Sequence, residues 1–216
     1  MSNQYRCIYT SSFDRGLYHI LKIWPDVKKE VPEATLDVFY GWMLFERFYK
    51  DNPASMAWMK NIQELLKQEG VTDHDRIPQP QLKEEYKTSA LFVFPTHFGE
   101  INCMSAIKAQ AYGAIPVTMD YAALTTTVQF GIKIKGDIYD KEVLEVFKQQ
   151  LIWALKNKEW QDQVRPPMME WASKITWSAI AKQWSSVFKG ESPSEIITVP
   201  QNRVLKIIDG STGKEI

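Results

Sequence analysis

The stretch that decides the fold spans residues 94–117 and reads FPTHFGEINCMSAIKAQAYGAIPV. Its pattern predicts a buried strand ending at Phe94, a polar turn, a helix from Ile101 to Tyr112, and a second strand after Gly113. In an α/β sheet, ligands bind beyond the carboxyl ends of the strands, and the helix that follows offers unpaired N–H groups to an anion. The turn that follows Phe94 is therefore the first candidate ligand site.

The same alternation of strand and helix recurs along the chain. Strands are predicted near 5–9, 35–40, 91–94, 114–118 and 128–134, and a long helix is predicted to begin after a cap at Asp140. Pro25 should kink or restart the first helix. This order predicts an α/β fold: a Rossmann-like, mostly parallel sheet with helices on both faces, in three layers. We expect residues 1–189 to form this domain and 190–216 a C-terminal tail, either a hairpin or an extension.

Composition excludes several classes of function. Lys and Arg number 26 and Asp and Glu also number 26, so no net field attracts nucleic acid. No stretch has the ~20 apolar residues of a membrane span, and the N-terminus lacks a signal-peptide core. Cys7 and Cys103 are expected to be reduced and buried. We therefore expect a cytoplasmic protein without a transmembrane segment or nucleic-acid partner.

The turn at 97–102 has the chemistry of an anion or sugar site. Gly99 permits close approach of a ligand, and the amides of residues 100–102 should point outward from the helix start. His97 and Glu100 supply an imidazole and a carboxylate, and Phe98, Ile101 and Asn102 complete the predicted substrate-binding turn. The alternative interpretation is a loop histidine bonded to backbone and an acid favoured by the helix dipole.

Further strand ends add polar residues to the same edge of the sheet. Ser11, Ser12 and Arg15 follow the first strand and suit phosphate oxygens, although helix capping by Ser12 or Asp14 is the alternative. Arg76 and Ile77 follow a third likely strand end and could frame a flat base, and Tyr121 lies in a fourth strand-end loop. Lys108 lies two helical turns beyond Glu100, where its side chain either leans toward the ligand or extends into solvent.

The sequence contains no pattern that resembles a P-loop, a Gly-x-Gly-x-x-Gly turn, a metal-ligand cluster or a Ser–His–Asp set. What the chain does carry is a series of short motifs that resembles retaining glycosyltransferases of group 1 (family 4). The motifs are SSxDRGL at 11–17, GW at 41–42, RIP at 76–78, FPT at 94–96, Glu100, AQAxGxxPV at 109–117, EWA at 170–172 and WxxIAxxW at 177–184. The resemblance runs from about Tyr5 to Phe188 and covers the C-terminal, donor-binding half of the two-domain GT-B architecture.

The resemblance implies a nucleotide-diphospho-sugar as substrate, with its diphosphate over the helix that begins near Ile101. Arg15 matches the basic residue that holds the diphosphate, and Glu100 matches the acid that stabilises charge on the donor sugar. A hexosyltransferase of this kind retains the anomeric configuration and needs no metal or other cofactor. Its acceptor would be chosen by an N-terminal half that has no counterpart in these residues, so the chain alone is expected to be an incomplete enzyme.

Three departures from the family pattern keep other interpretations open. Lys108 stands where the family has a second Glu that grips the nucleotide ribose, Thr10 replaces a basic residue, and Thr126 replaces an acid. A lysine cannot accept hydrogen bonds from the ribose hydroxyls. The second hypothesis is therefore a degenerate module that binds a nucleotide or a partner without turnover. The third is another GT-B relative, such as a sugar-phosphate epimerase or a phosphorylase-like enzyme.

Overall fold

The computed structural model of the chain describes residues 2–192 and 203–216. In chain order the first half contains β1 Asn3–Tyr9, α1 Leu17–Glu30, β2 Thr35–Val38, α2 Met43–Tyr49, α3 Pro53–Leu65, β3 Val71–Asp73, α4 Gln79–Thr88 and β4 Ser89–Phe94. The second half contains α5 Met104–Tyr112, β5 Ile115–Met119, α6 Leu124–Thr127, β6 Gly131–Lys135, α7 Lys141–Lys156, α8 Lys158–Ser173, α9 Trp177–Phe188 and β7 Leu205–Asp209.

The strands form one seven-stranded parallel sheet in the order β3-β2-β1-β4-β5-β6-β7. All six residues of β4 are buried, as a central strand covered on both faces requires. Helix α1 packs with α3 and α7, while α5 packs with α4 and α8. The predicted α/β, Rossmann-like architecture with a parallel sheet is therefore confirmed.

The chain winds outward in one direction from β1 to β3 and in the other direction from β4 to β7. The strand order thus reverses between β1 and β4, whose register pairs Cys7 with Leu91 and Ile8 with Phe92. At such a switch point the two flanking loops diverge and leave a crevice beyond the carboxyl ends of the strands. This crevice is where the loops after Tyr9 and Phe94 meet.

Helix α1 runs from Leu17 to Glu30 without a break at Pro25, so the predicted restart of the helix is wrong. A proline inside a helix leaves the carbonyl four residues earlier without its N–H partner. Here that carbonyl belongs to Leu21, and it accepts a hydrogen bond from Gln68 Nε2 at 3.0 Å. The replacement partner comes from the chain just beyond α3, which no local pattern reveals.

Helix α5 begins at Met104, three residues after the predicted start at Ile101. Two tight turns occupy the intervening chain, because the amide of Glu100 bonds the carbonyl of Phe98 and the amide of Met104 bonds the carbonyl of Asn102. Cys103, with φ −85° and ψ 84°, is the N-cap. Ile101 is 97% exposed and has no core to join, so its apolar side chain gives a misleading helical pattern.

Asp140 precedes α7 as predicted, but its side chain makes no capping hydrogen bond. Both cysteines are free and buried, and burial raises the pKa of the Cys103 thiol to about 11.

The segment after Gly190 contributes to the same sheet. Strand β7 pairs in parallel with β6, and Ile208 forms an antiparallel bridge with Glu215. Residues 193–202 of the predicted tail lie outside the described residues. The boundary at 189/190 stays a prediction, although β7 extends the sheet beyond it.

Candidate functional site

The two loops at the switch point lie in direct contact. Gly16 adopts φ +115°, and a Cβ placed on it would lie 2.4 Å from the carbonyl oxygen of Pro95. Only glycine accepts both that backbone conformation and that approach. Gly16 is also the N-cap of α1, whose start has no side-chain cap, so the alternative role of Ser12 or Asp14 as its cap is not observed.

Arg15 reaches across from the β1–α1 loop to the β4–α5 loop. Its Nη1 donates to Glu100 Oε1 at 2.9 Å, and its guanidinium carbon lies 4.0 Å from the centre of the Phe98 ring. The side chain of Glu100 is 12% exposed and that of Arg15 is 32% exposed, so the pair is only partly shielded from water. Arg15, Phe98 and Glu100 thus form one cluster, although 85 residues separate the two charges.

Free amides lie beside this cluster, but they are not the ones predicted. The N–H of Glu100 is used within its own turn. Within the described parts of the chain, the N–H groups of residues 101–103 make no hydrogen bond. A Cβ placed on Gly99 would meet nothing within 4 Å, so open space lies next to the cluster. Amides of this kind, preceding a helix N-terminus, are suited to bind an anion.

Ser11 and Ser12 lie at the same edge without side-chain hydrogen bonds to other described residues. The backbone carbonyl of Ser12 accepts from the Tyr9 hydroxyl at 2.6 Å and from the Arg15 amide at 3.0 Å. These bonds fix the loop that carries Arg15. The Ser11 side chain is buried, whereas Ser12 is half-buried.

His97, also in the β4–α5 loop, lines two cavities of about 420 and 430 Å³. Its Nε2 lies 3.1 Å from the Tyr139 hydroxyl, so its partner is a side chain rather than the local backbone. Burial and Asp137 raise the pKa of Tyr139, which keeps that hydroxyl protonated. Tyr121, 47% exposed, lines the first of these cavities with His97.

A buried imidazole supports the His97–Tyr139 contact. The ring of His19, 4% exposed, lies 4.9 Å from that of Tyr139 and 5.9 Å from that of His97. Burial, followed by the charges of His97 and Lys22, lowers the pKa of His19 to about 4, and Asp137 opposes this shift. His19 is therefore neutral at physiological pH.

This shift predicts an acid-labile fold. The pKa of His19 is about 4 in the folded protein, against about 6.5 for an ordinary histidine, so the unfolded chain takes up the proton first as the pH falls. His19 should leave stability unchanged above about pH 6.5 and lower it as the pH falls toward 4, by at most ~1.4 kcal/mol per pH unit. Urea unfolding at pH 7 and pH 5 measures the loss. His19→Gln should lose less between the two pH values; an equal loss would contradict the assignment.

The fourth predicted loop is anchored to the turn at 97–103. The amide of Ala123 donates to the carbonyl of Glu100 at 3.1 Å. Below it, Lys133 Nζ lies 2.9 Å from Asp120 Oδ1 and donates to the carbonyl of Thr125 at 3.0 Å. Both charged side chains are less than 10% exposed. A buried ion pair therefore supports the loop that holds Glu100 in position.

The remaining predicted residues form a separate cavity of about 190 Å³ between the β3–α4 loop and α5. Arg76, Ile77 and Lys108 all line it. Lys108 does not extend freely into solvent, because its Nζ donates to Gln79 Oε1 at 2.6 Å. The structure thus groups the predicted residues into three neighbouring sets, around Arg15, His97 and Lys108.

Sequence reasoning missed Tyr139, His19 and Gln79. Tyr139 follows β6 in a fifth strand-end loop, and applying the strand-end rule to residues 136–139 would have found it. His19 and Gln79 carry no such signal, since one lies inside an amphipathic helix and the other begins a polar helix.

Across 2–192 and 203–216, no group of three His, Cys, Asp or Glu side chains is arranged to hold a metal ion. Over the same residues, none of the helices has both the length and the apolar character needed to cross a membrane.

The doubly wound parallel sheet, with its switch-point crevice, matches part of solved glycosyltransferase structures of the GT-B fold. The chain resembles the "GtfA/B complex" structure with a TM-score of 0.67 and 14% identity, over 88% of this chain and 36% of that one. It resembles HepE of Anabaena, solved with UDP and glucose, with a TM-score of 0.67 and 13% identity, over 86% and 48%. It also resembles the sucrose-phosphate synthase of Thermosynechococcus elongatus, with a TM-score of 0.67 and 17% identity, over 86% of this chain and 45% of that one.

The family follows from the sequence itself. The profile described as "Glycosyl transferases group 1" matches residues 3–166, which is more than half of the chain. The chain therefore belongs to the group 1 glycosyl transferases. It spans less than half the length of each of these three structures. No curated protein matches it.

Proposed function

We propose that the chain is the donor domain of a retaining, metal-independent hexosyltransferase and binds a nucleotide-diphospho-sugar at the switch-point crevice. The observation that carries this proposal is the Arg15–Glu100 pair, at 2.9 Å, beside the free amides of residues 101–103. A cation and several N–H groups suit a diphosphate, and a carboxylate one step away suits the positive charge that develops on a sugar.

In the proposed reaction, the bond from the anomeric carbon to the diphosphate breaks and its electron pair leaves with the diphosphate. Arg15 and the amides of 101–103 stabilise that charge, and the site needs no further cofactor. An acceptor hydroxyl forms the new bond on the same face of the sugar and loses its proton to the departing diphosphate. Glu100 stabilises the oxocarbenium-like carbon between the two groups.

An N-terminal domain outside this chain would supply the acceptor site. The coverage of less than half of the three structures supports this proposal. Nucleotide sugars, rather than nucleic acid, are the partners that we propose, and a cytoplasmic location stays a prediction. HepE was solved in complex with UDP and glucose, which makes UDP-glucose a reasonable first probe for this chain.

The second candidate is a degenerate module that binds without turnover. The observation that favours it is that the Arg15 guanidinium is already paired with Glu100 and faces the Phe98 ring, so a diphosphate would have to share it. Lys108, which stands where the family has a second Glu, also favours binding without turnover.

Titration calorimetry with UDP, GDP, ADP and their sugars tests the binding proposal. Arg15→Ala is expected to weaken diphosphate binding by ~1.5–3 kcal/mol, the usual range for a hydrogen bond to a charged group. Lys22→Ala, a change of the same charge on the exposed side of α1, should leave the affinity unchanged. Equal affinity of Arg15→Ala and wild type would remove Arg15 from the site, and no heat with any nucleotide would reject the proposal.

A further inference from the structure

A cavity of about 430 Å³ lies beside the crevice and takes no part in the proposed reaction. Its wall comes from the β1–α1 loop, the first turn of α1, the middle of α3, and the β4–α5 and β6–α7 loops. Asp14 and Gly16, which flank Arg15 in the sequence, both line it. His97 also lines it and lies three residues before Glu100 in the β4–α5 loop. A ligand in this cavity would therefore lie next to the reacting groups, and the volume is in the usual range for a small-molecule site, ~300–1,000 Å³.

Flat rings form most of the wall of this cavity. The rings belong to Phe13, Tyr18, His19, Trp58, His97 and Tyr139. The Tyr139 ring lies 4.9 Å from each of the two imidazoles, so these three rings pack as one group. The face of an aromatic ring carries partial negative charge and attracts the weakly positive hydrogens of C–H groups. A wall of this kind suits a pyranose, whose two faces present C–H groups.

Polar groups without partners lie among these rings. Four polar side chains of the wall make no hydrogen bond or ion pair with other described residues: those of Asp14, Tyr18, Trp58 and Asn61. A carboxylate only accepts hydrogen bonds, an indole N–H only donates, and an amide or a hydroxyl does both. Each hydroxyl of a sugar also donates and accepts, so neighbouring hydroxyls of one pyranose can satisfy several of these groups together.

The wall of the cavity provides no cation for an anionic ligand. None of the described residues that line it is Lys or Arg, and Asp14 adds a carboxylate. Burial lowers the pKa of His19 to about 4, so this imidazole is uncharged at physiological pH. A phosphate or carboxylate in the cavity would meet the Asp14 carboxylate without a compensating charge, which is unfavourable. The cavity therefore favours an uncharged ligand, whereas the crevice beside Arg15 favours an anion.

The aromatic rings continue from the cavity onto the surface of α2. The ring of Trp58 lies 5.2 Å from that of Phe45, which lies 4.8 Å from that of Tyr49. No residue of α2 is buried, and Tyr49 is 44% exposed. A chain of sugar units that enters the cavity can therefore extend along exposed rings.

We propose that this cavity holds an uncharged pyranose unit of an oligosaccharide acceptor, with the following units against α2. The pyranose faces pack on the aromatic wall, and its hydroxyls bond to Asp14 and Asn61. The inference rests on the proposed function, because the acceptor hydroxyl must reach the anomeric carbon beside Glu100. Acceptor recognition is then shared between this domain and the N-terminal domain.

Two-dimensional ¹H–¹⁵N NMR of this chain tests the inference with three neutral trisaccharides, maltotriose, cellotriose and tri-N-acetylchitotriose, and one acidic trisaccharide, trigalacturonic acid. The chain has eight tryptophans, and Trp58→Phe identifies the indole signal of Trp58 by its loss. At least one neutral trisaccharide should shift that signal, with a dissociation constant on the order of 1 mM. Trigalacturonic acid should bind at least about tenfold more weakly, because its carboxylates meet Asp14. Saturating UDP-glucose should not displace the trisaccharide.

Two substitutions test the polar contacts of the cavity. Asp14→Asn should weaken binding of the neutral trisaccharide about tenfold or more, as expected for hydrogen bonds to a charged group, and should reduce its advantage over trigalacturonic acid. Asn61→Ala should weaken binding by about twofold to tenfold, as expected for a neutral hydrogen bond. Glu33→Gln removes the same charge from an exposed position at the opposite edge of the sheet and should change neither affinity. Thermal unfolding verifies that each variant is folded.

The outcomes separate the two proposals. If nucleotides bind with Arg15-dependent affinity and no neutral trisaccharide shifts the Trp58 signal at about 10 mM, the inference is wrong and the proposed function stands. A trisaccharide that UDP-glucose displaces, or whose affinity is unchanged in both Asp14→Asn and Asn61→Ala, binds elsewhere and also overturns the inference. If a trisaccharide binds as expected but no nucleotide does, the cavity is a saccharide site, while the proposed function and the acceptor role fail.

Discussion

Glu100→Gln, introduced into the whole protein that contains this domain, is expected to lower kcat by about 10²–10³-fold, the range for losing one electrostatic group aimed at developing charge. Glutamine keeps the size and one oxygen of the side chain but removes its negative charge. The charge matters most when the bond to the diphosphate has broken and the anomeric carbon is positive. Steady-state assays with the preferred nucleotide sugar measure the change.

Nucleotide binding should respond to the same change in the opposite direction. In the free protein Glu100 holds Arg15 at 2.9 Å, so the carboxylate competes with a diphosphate for the guanidinium. Glu100→Gln weakens that competition, and the affinity for the nucleoside diphosphate should stay equal or rise by less than about tenfold. A transition-state interaction and a ground-state competition are thereby separated in one variant.

Glu142→Gln is the matched control, because Glu142 is an exposed acid in the first turn of α7 with no ion pair among the described residues. It should leave both kcat and affinity unchanged. Equal losses of turnover and binding in Glu100→Gln would show that the carboxylate acts by holding the site together. Undiminished turnover would exclude it from the reaction.

The sequence predicts the sheet better than the ends of its helices. The buried run before Pro95 and the glycines at 16 and 113 are local signals, and they correctly indicate the strand–turn–helix order. The predicted start of α5 is wrong because Ile101 resembles the first apolar position of a helix, whereas its side chain is 97% exposed. Helix propensity cannot reveal that two tight turns use the amides of Glu100 and Met104.

The sequence predicts which residues of the candidate site lie near one another, because they follow the ends of neighbouring parallel strands. The rule that parallel strands end at one edge brings Arg15 near Glu100 without any knowledge of side-chain geometry. It does not reveal that the two charges pair with each other, that Phe98 faces the guanidinium, or that Lys108 is held by Gln79. Those contacts join residues 29 to 85 positions apart, and only the packed tertiary structure sets them.

Lys133→Met is expected to lower the free energy of unfolding by ~3–5 kcal/mol, because it leaves the carboxylate of Asp120 buried without a cation. The Asp120 side chain is 8% exposed, and its Oδ1 lies 2.9 Å from Lys133 Nζ and has no other polar partner among the described residues. Asp120→Asn/Lys133→Met should recover much of this loss, since it removes both charges together.

The matched control is Lys135→Met, which changes an exposed lysine two residues further along strand β6. It should lower the free energy of unfolding by less than ~0.5 kcal/mol. Urea unfolding measures all three variants. A double variant as unstable as Lys133→Met would show that the lost packing of the lysine stem, rather than the isolated carboxylate, causes the loss. Because the Ala123 amide ties this loop to the carbonyl of Glu100, the single variant should also weaken nucleotide binding, and the double variant should restore it together with stability.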